Sequence, residues 1–139
     1  MWQVWALLSA CFAALTAIFA KVGIANVNSD FATLIRTFVI VVVLMGIITV
    51  LGEWQSPASL SPRTLSFLVL SGLATGASWV CYFRALKIGE AAKVAPLDKL
   101  SVVLVAILGV IFLKERLSAV SATGIALIAI GATLVAISG

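Results

Sequence analysis

The chain has 139 residues, of which 63% are apolar and only 10% are charged, with a net charge of +4 and a mean hydropathy of +1.27. A soluble domain carries about 25% charged residues. A chain of this length also leaves roughly a third of its surface exposed after folding, so it cannot bury so much apolar surface in water. These values exclude a soluble enzyme, a nucleic-acid-binding domain and a disordered tail, and they predict a protein whose solvent is lipid.

The residue types exclude several kinds of site. The sequence has no histidine, so metal sites and general bases built on histidine are absent. Cys11 and Cys81 lie inside long apolar runs, and we interpret them as small buried hydrophobic residues rather than a disulfide or a metal pair. No phosphate-binding glycine-rich loop is present, and the basic residues are scattered singly. We expect no enzymatic activity, no cofactor, no metal and no nucleic-acid partner.

Five apolar segments are long enough to cross a hydrocarbon core about 30 Å thick. They are continuously apolar rather than alternating, which favours helices over a β-barrel. The first segment lacks a basic region before it and is longer than the apolar core of a cleaved secretory signal. The predicted fold class is therefore an all-α integral membrane protein, multi-pass, with residues 1–139 forming one transmembrane domain. The predicted spans are 2–24, 31–51, 64–84, 94–113 and 117–138.

The first two spans each contain one basic residue. In the first, Ala10, Ala14 and Ala17 form a stripe of small residues that Lys21 continues on the same helix face. Lys21 therefore faces protein, or it extends from the helix end to the membrane interface. The second span is interrupted only by Arg36. Both residues are candidates for attracting a solute.

The third span carries hydroxyl groups on one face, with the spacing four, three, four, at Ser71, Thr75, Ser78 and Tyr82. This face either lines a polar cavity or hydrogen-bonds to its own helix backbone. Gly72 and Gly76 beside it match a helix-packing pattern. Three residues of this region are candidates for a substrate-contacting wall: Ser78, Trp79 and Tyr82.

The fourth span contains Asp98 and Lys99 close to its start. One interpretation is that Pro96 begins the helix and Asp98 lies in its first turn, at the positive end of the helix dipole. The other is that Asp98 and Lys99 face a water-filled cavity, because charges at membrane depth usually mark a pathway. Adjacent residues diverge on a helix, so we expect Asp98 to pair with Lys21, Arg36 or Arg84 rather than with Lys99.

The fifth span has no charge, and its small residues recur at helical spacing. We interpret it as a packing element and a candidate dimer contact. The residues that carry this prediction are Ala122, Gly124, Ala126, Ala129, Gly131 and Thr133, with Ala136.

Basic residues near the membrane faces predict orientation. The side on which the first helix ends has six, namely Lys21, Arg36, Arg84, Lys87, Lys93 and Lys99, and the opposite side has Arg63, Lys114 and Arg116. Counting them all makes the first side cytoplasmic. Excluding the three inside spans leaves three on each side, which removes the preference. The chain either has one orientation with weak determinants or inserts both ways and pairs with an inverted copy.

Several segments together resemble a known family. They are 79–89, 94–97, 109–117 and 124–131, with 19–23, 29–37 and 98–101. The set is similar to the EamA-type repeat of the drug/metabolite transporter superfamily, in its five-helix, single-repeat prokaryotic branch. The resemblance covers essentially the whole chain. It implies an inner-membrane transporter of small metabolites, often an exporter, that works by alternating access.

Most members of that superfamily carry two inverted repeats, so a single repeat implies a homodimer, with an antiparallel arrangement expected. The acidic residue that follows the family's fourth helix corresponds to Glu115, for which we expect a salt bridge to Lys114 or Arg116. Members that export lipophilic cations use a carboxylate in the first helix, and this sequence has none there.

Two classes of function follow. The first is a secondary transporter of anionic or zwitterionic solutes, with Asp98 as the candidate for coupling, by protonation or by breaking an ion pair. Lys99, Lys21, Arg36 and Arg84 are then candidates for solute attraction and gating. The second is a non-transporting membrane subunit or assembly partner of a larger complex, whose charges match those of a partner protein.

Overall fold

The computed structural model describes residues 1–138, and this part of the chain contains helices and no strand. The helices are α1 (Trp2–Gly23), α2 (Ser29–Leu51), α3 (Pro62–Ile88), α4 (Ala91–Asp98), α5 (Ser101–Phe112) and α6 (Ala119–Ile137), with a 3₁₀ turn at Pro57–Ser59. α4 and α5 together form one apolar span, Ala91–Phe112, so five spans are long and apolar enough to cross a membrane. The predicted five-helix membrane fold is confirmed.

Capping residues place several helix ends away from the edges of the apolar runs. α2 begins at Ser29 because the side chain of Asn28 accepts hydrogen bonds from the backbone N–H groups of Asp30 and Phe31, at 2.9 and 3.2 Å. α2 ends at Gly52, whose φ of 68° lets Glu53 N–H bond to Ile48 O and Gly52 N–H bond to Thr49 O. This paired C-terminal motif satisfies two carbonyl groups at the membrane face.

Serine residues begin α3 and α6 in the same way. Ser61 Oγ accepts from Thr64 N–H at 3.1 Å, and Pro62 occupies the first helical position, where its missing N–H has no cost. Ser118 Oγ accepts from Ser121 N–H at 3.1 Å. α3 continues to Ile88, four residues beyond the predicted end at 84, so Arg84 and Lys87 are helical.

The fourth span is broken, which the sequence analysis did not predict. α4 ends at Asp98 and α5 begins at Ser101. Backbone bonds of the i→i+3 type cross the break, from Lys99 N–H to Pro96 O and from Leu100 N–H to Leu97 O, both 3.0 Å. A short 3₁₀ stretch inside a span often marks a hinge.

The first interpretation of Pro96 is therefore wrong. α4 begins five residues earlier, at Ala91 after the N-cap Glu90, and Pro96 lies inside it. Asp98 is the last residue of α4 and not part of its first turn. The positive dipole end of α4 is consequently not available to stabilise the Asp98 carboxylate.

The chain divides into two compact units, residues 19–87 and residues 1–18 with 88–138. In the first unit, Ile24, Phe83 and Leu86 are buried, as are the polar residues Ser29 and Thr33 on α2. In the second unit, α6 packs against α4 and α5.

Little apolar surface is covered within one copy of the chain. Among residues 1–138 only five apolar side chains are buried, which are Ala17, Ile24, Phe83, Leu86 and Ala132. Large apolar residues on every spanning helix are exposed, including Phe38, Leu73, Val105 and Leu127. This surface requires lipid or another protein as its partner.

We predict that Gly52→Ala destabilises the fold by about 1 kcal/mol, because an L-residue with a side chain is strained at positive φ. The matched control is Gly46→Ala in the middle of α2, where an added Cβ meets no atom within 4 Å and helix propensity improves. Unfolding of the detergent-solubilised protein by increasing fractions of dodecyl sulfate measures both effects. Equal midpoints for the two variants would contradict this account of the α2 terminus.

Candidate functional site

Three basic side chains attach the end of α3 to the connection between α1 and α2. Lys21 Nζ donates to Leu86 O at 2.6 Å, and Lys87 Nζ donates to Val27 O. Arg84 forms the third link, to Asp30. The carbonyl of Leu86 lies in the last turn of α3, where helical carbonyls lack an intrahelical partner, so a lysine there satisfies the backbone and the helix dipole together. We call these three links the α3 clamp.

The Arg84–Asp30 link is a bidentate ion pair. Arg84 Nε and Nη2 donate to Asp30 Oδ1 and Oδ2 at 2.9 and 2.6 Å. The two side chains keep 62% and 45% of their surface exposed. Arg84 therefore has its carboxylate partner in Asp30, and the expectation that it could neutralise Asp98 is wrong.

Arg36 lies deeper in the same unit, stacked on aromatic rings of α3. Its guanidinium carbon is 4.3 Å from the centroid of the Trp79 ring and 5.1 Å from that of Phe83. Trp79 and Phe83 are one helical turn apart, so their rings form a slot facing α2. Arg36 Nη1 is buried and has no hydrogen-bond partner among the residues that the structure describes.

Energies show that the aromatic slot only partly compensates Arg36. An arginine at the centre of a span costs about 2.5–3.5 kcal/mol on insertion scales, and this is an upper bound for Arg36, which lies seven residues after the start of α2. Stacking on aromatic faces returns about 0.5–2 kcal/mol. The edge N–H groups of a guanidinium are the part that bonds carboxylates in a bidentate manner. The arrangement is suited to receiving an anion.

The predicted wall residues lie around this slot on α3. Tyr82 packs edge-on against Phe83, with ring centroids 6.3 Å apart and an interplanar angle of 65°. Trp79 and Tyr82 are half-buried, and Ser78 is exposed. In the predicted hydroxyl stripe, Thr75 Oγ1 donates to Ser71 O at 2.9 Å, so this hydroxyl is satisfied by its own helix.

Asp98 and Lys99 pair with each other, contrary to the expectation from helix geometry. Lys99 Nζ is 3.7 Å from Asp98 Oδ2, and the side chains are 55% and 38% exposed, respectively. The reason is the break described above, because Lys99 follows the end of α4 and i→i+3 bonds replace regular helix here. Both charges therefore lie at the point where the fourth span changes its backbone geometry.

Glu115 does not form the predicted salt bridge. The ion pairs within residues 1–138 are Arg84–Asp30, Lys93–Glu90 and Lys99–Asp98. Lys114 adopts a φ of 56°, and this turn lets Glu115 N–H bond to Gly109 O at 3.1 Å. A Cβ on residue 109 would lie 2.7 Å from Glu115 Oε2. Glu115 therefore folds back over Gly109 rather than towards Lys114 or Arg116.

Only some of the small residues predicted to pack on α6 lie on the face that packs against α4 and α5. Ala132 is buried, and Ile125, Ala129 and Ala136 are half-buried. Five of the predicted residues are exposed: Ala122, Gly124, Ala126, Gly131 and Thr133. A Cβ added at Gly124 or Gly131 would meet no atom within 4 Å. In α1, Ala17 of the predicted stripe is buried, whereas Ala10 and Ala14 are exposed.

A spanning helical chain with charged side chains inside its spans is the architecture of a membrane transporter. Comparison with known proteins gives the family. The model of the EamA-like transporter family matches residues 1–137. The chain belongs to the EamA-like transporter family.

A curated relative agrees with this assignment. The chain is 64% identical, over 136 residues, to an uncharacterized transporter in the cobO 3′ region of a Sinorhizobium species. The alignment covers 98% of this chain and 96% of that protein. No solved structure matches the chain. As an EamA-like protein, the chain is a multi-pass membrane protein of a transporter family, which has the lipid bilayer and small solutes as its partners.

Sequence reasoning missed two residues of this EamA-like chain, Asp30 and Phe83. Asp30 comes directly before the predicted second span, 31–51, and it lies on the same side of the membrane as Arg84. If the acidic residues on that side had been considered together with the basic ones, the sequence would have indicated the pair of Asp30 and Arg84. Phe83 follows Trp79 at helical spacing, which is a pattern visible in the sequence.

We predict that Asp30→Asn and Arg84→Gln each lower the free energy of unfolding. The double variant should be at least as stable as the less stable of the two single variants. Each single change removes the same bidentate pair, so the effects cannot add. Dodecyl sulfate unfolding of the four proteins completes the cycle, and about 1 M salt should reduce the coupling because the pair is exposed. Additive losses would show that the two residues act independently.

Proposed function

We propose that residues 1–139 form one transmembrane domain that acts as a secondary transporter in a prokaryotic inner membrane. It exports small polar metabolites, anionic or zwitterionic ones in preference, by alternating access as an antiparallel homodimer. The observation that carries the solute class is Arg36, a cation inside an apolar span with a buried Nη1 and no hydrogen-bond acceptor among the described residues.

Charge balance within residues 19–87 supports an anionic or zwitterionic solute. This unit contains only two acidic residues, Asp30 and Glu53, and Asp30 is bound to Arg84. Arg36 therefore keeps its positive charge uncompensated by a carboxylate of the unit. A lipophilic cation would be repelled there, and the first span contains no carboxylate to attract one.

The exposed small-residue face of α6 supports the homodimer. Gly124 and Gly131, seven residues apart, lie on one exposed face of α6 and present flat backbone there, and small residues let helices approach closely in lipid. Transporters commonly place the solute between two inverted repeats. This chain supplies one repeat, and a second inverted copy would supply the other.

Asp98 is the proposed coupling residue. Its carboxylate is paired with Lys99 at the break between α4 and α5. Protonation of Asp98 would remove its negative charge and break its ion pair with Lys99. The backbone at the break between α4 and α5 would then be less constrained. A proton gradient could in this way bias the conformation of the fourth span.

A transport assay tests this function. The purified protein is reconstituted into liposomes that contain unlabelled succinate, alanine or tetraphenylphosphonium. Counterflow is then measured as the accumulation of the same compound, labelled, from the outside. We expect accumulation of succinate or alanine and none of tetraphenylphosphonium. Counterflow of tetraphenylphosphonium alone would contradict the solute class. A stable dimer that moves none of the three probes would favour a non-transporting subunit of a larger complex.

We predict that Asp98→Asn abolishes uptake driven by a pH gradient without preventing membrane insertion. The matched control is Glu90→Gln, which removes another carboxylate flanking α4, one that lies 3.8 Å from Lys93. The control should retain the driven uptake. Unaltered driven uptake in Asp98→Asn would exclude Asp98 as the coupling residue.

A further inference from the structure

We propose that the edge of the Arg36 guanidinium is the anchor for a carboxylate group of the solute, with Trp79 as the wall on which the solute lies. The inference rests on the proposed function and makes it more specific, because it names the binding group and the chemistry that it recognises. Three observations carry it: the depth of Arg36, its contacts with the aromatic rings of α3, and the buried Nη1 that has no hydrogen-bond partner among the described residues.

The depth of Arg36 places it away from the lipid headgroups. Arg36 is seven residues after Ser29, and seven residues span roughly 10 Å along α2. With α2 centred on a hydrocarbon core of about 30 Å, the backbone of Arg36 lies roughly 8 Å inside the boundary. An arginine at this depth ordinarily extends its side chain to the nearer interface.

The guanidinium of Arg36 lies over two aromatic rings of α3. The guanidinium carbon is closer to the Trp79 ring, at 4.3 Å, than to the Phe83 ring, at 5.1 Å. Trp79 is farther than Phe83 from the C-terminal end of α3, the end that the α3 clamp ties to the start of α2. These two contacts hold the guanidinium against the rings of α3.

The missing hydrogen bond of Arg36 Nη1 indicates which kind of ligand would fit. The nitrogen is buried and has no hydrogen-bond partner within the described part of the chain. The neighbouring basic residues of this unit differ, because Arg84 and Lys87 have acceptors in Asp30 and in the Val27 carbonyl. Among these side chains, Arg36 is the one with a buried donor that a carboxylate could satisfy. An anion of planar, bidentate geometry fits the guanidinium edge, and its apolar remainder fits the adjacent indole.

Trp79 can report binding directly. The chain has four tryptophans, and Trp2→Phe, Trp5→Phe and Trp54→Phe leave Trp79 as the single indole. This protein, in phosphatidylcholine nanodiscs, is titrated with sodium butyrate at constant ionic strength, with neutral butyramide as the reference. We expect a saturable change in Trp79 emission with butyrate and none with butyramide. Equal responses to both probes, or no response to butyrate, would overturn the inference.

Variants of Arg36 identify the group that binds. Arg36→Gln should weaken butyrate binding by about tenfold or more, and Arg36→Lys, which keeps the charge without the bidentate fork, should weaken it less. The matched control is Arg63→Gln on α3, because Arg63 also lies over an aromatic ring, that of Phe67 at 6.0 Å. The control should bind as the parent does. If Arg36→Gln does not fold, the Arg36→Lys comparison carries the test, and undiminished binding in it would overturn the bidentate anchor.

Lipid phosphate offers the same chemistry to arginine, so a second arm uses nanodiscs that contain phosphatidylglycerol. Butyrate binding that is unchanged in this lipid supports the solute site. Loss of butyrate binding, with a change in Trp79 emission from the lipid alone, would assign Arg36 to a lipid headgroup and overturn the inference.

The inference and the proposed function can fail separately. Butyrate binding through Arg36 in a protein that shows no counterflow would retain the anchor and reject the transporter. Counterflow of succinate at the parental rate in Arg36→Gln would retain the transporter and reject the anchor.

Discussion

The structure depends on one constraint: a charge or an open backbone group inside a membrane protein needs a partner supplied by the protein. The α3 clamp meets this requirement at the end of α3, where Lys21 and Lys87 donate to backbone carbonyls and Arg84 binds Asp30. Because these partners belong to different elements, satisfying each group also ties α1, α2 and α3 together. Few apolar side chains are buried among residues 1–138, and these polar links add contacts between the three helices.

The charged side chains differ in how far the protein supplies them with partners. Arg84 forms a bidentate pair with Asp30, which links α3 to α2. Arg36 lies over aromatic faces, and its buried Nη1 has no hydrogen-bond partner among the described residues, which is the basis on which we propose it as a ligand anchor. Asp98 and Lys99 have a long, half-exposed pair at a helix break, an arrangement that a change of protonation could rearrange. We therefore propose different roles for them, anion binding at Arg36 and coupling at Asp98.

The sequence could predict the membrane fold because long apolar runs determine spanning helices almost without reference to tertiary structure. It could not predict the break at Asp98, since Pro96 is compatible with a helix start as well as with a helix interior. It placed Arg36 and Trp79 among the candidates but not together, because the rotation of α2 against α3 is set by packing. The expectation that Asp98 pairs with Lys21, Arg36 or Arg84 is wrong. The sequence indicates on which side of the membrane a charge lies, but not which helix is its neighbour.

The central claim is that two inverted copies of this EamA-like chain make one transporter, and the orientation of the chain tests it most directly. Cys11→Ser and Cys81→Ser give a cysteine-free protein, to which Ser56→Cys, after α2, or Ala92→Cys, at the start of α4, is added singly. Intact cells are treated with an impermeant thiol reagent, and permeabilised cells give the full labelling. The account predicts partial labelling at both positions, because each lies outside in one of the two orientations. Complete labelling at one position and none at the other would show a single orientation and contradict the antiparallel pair.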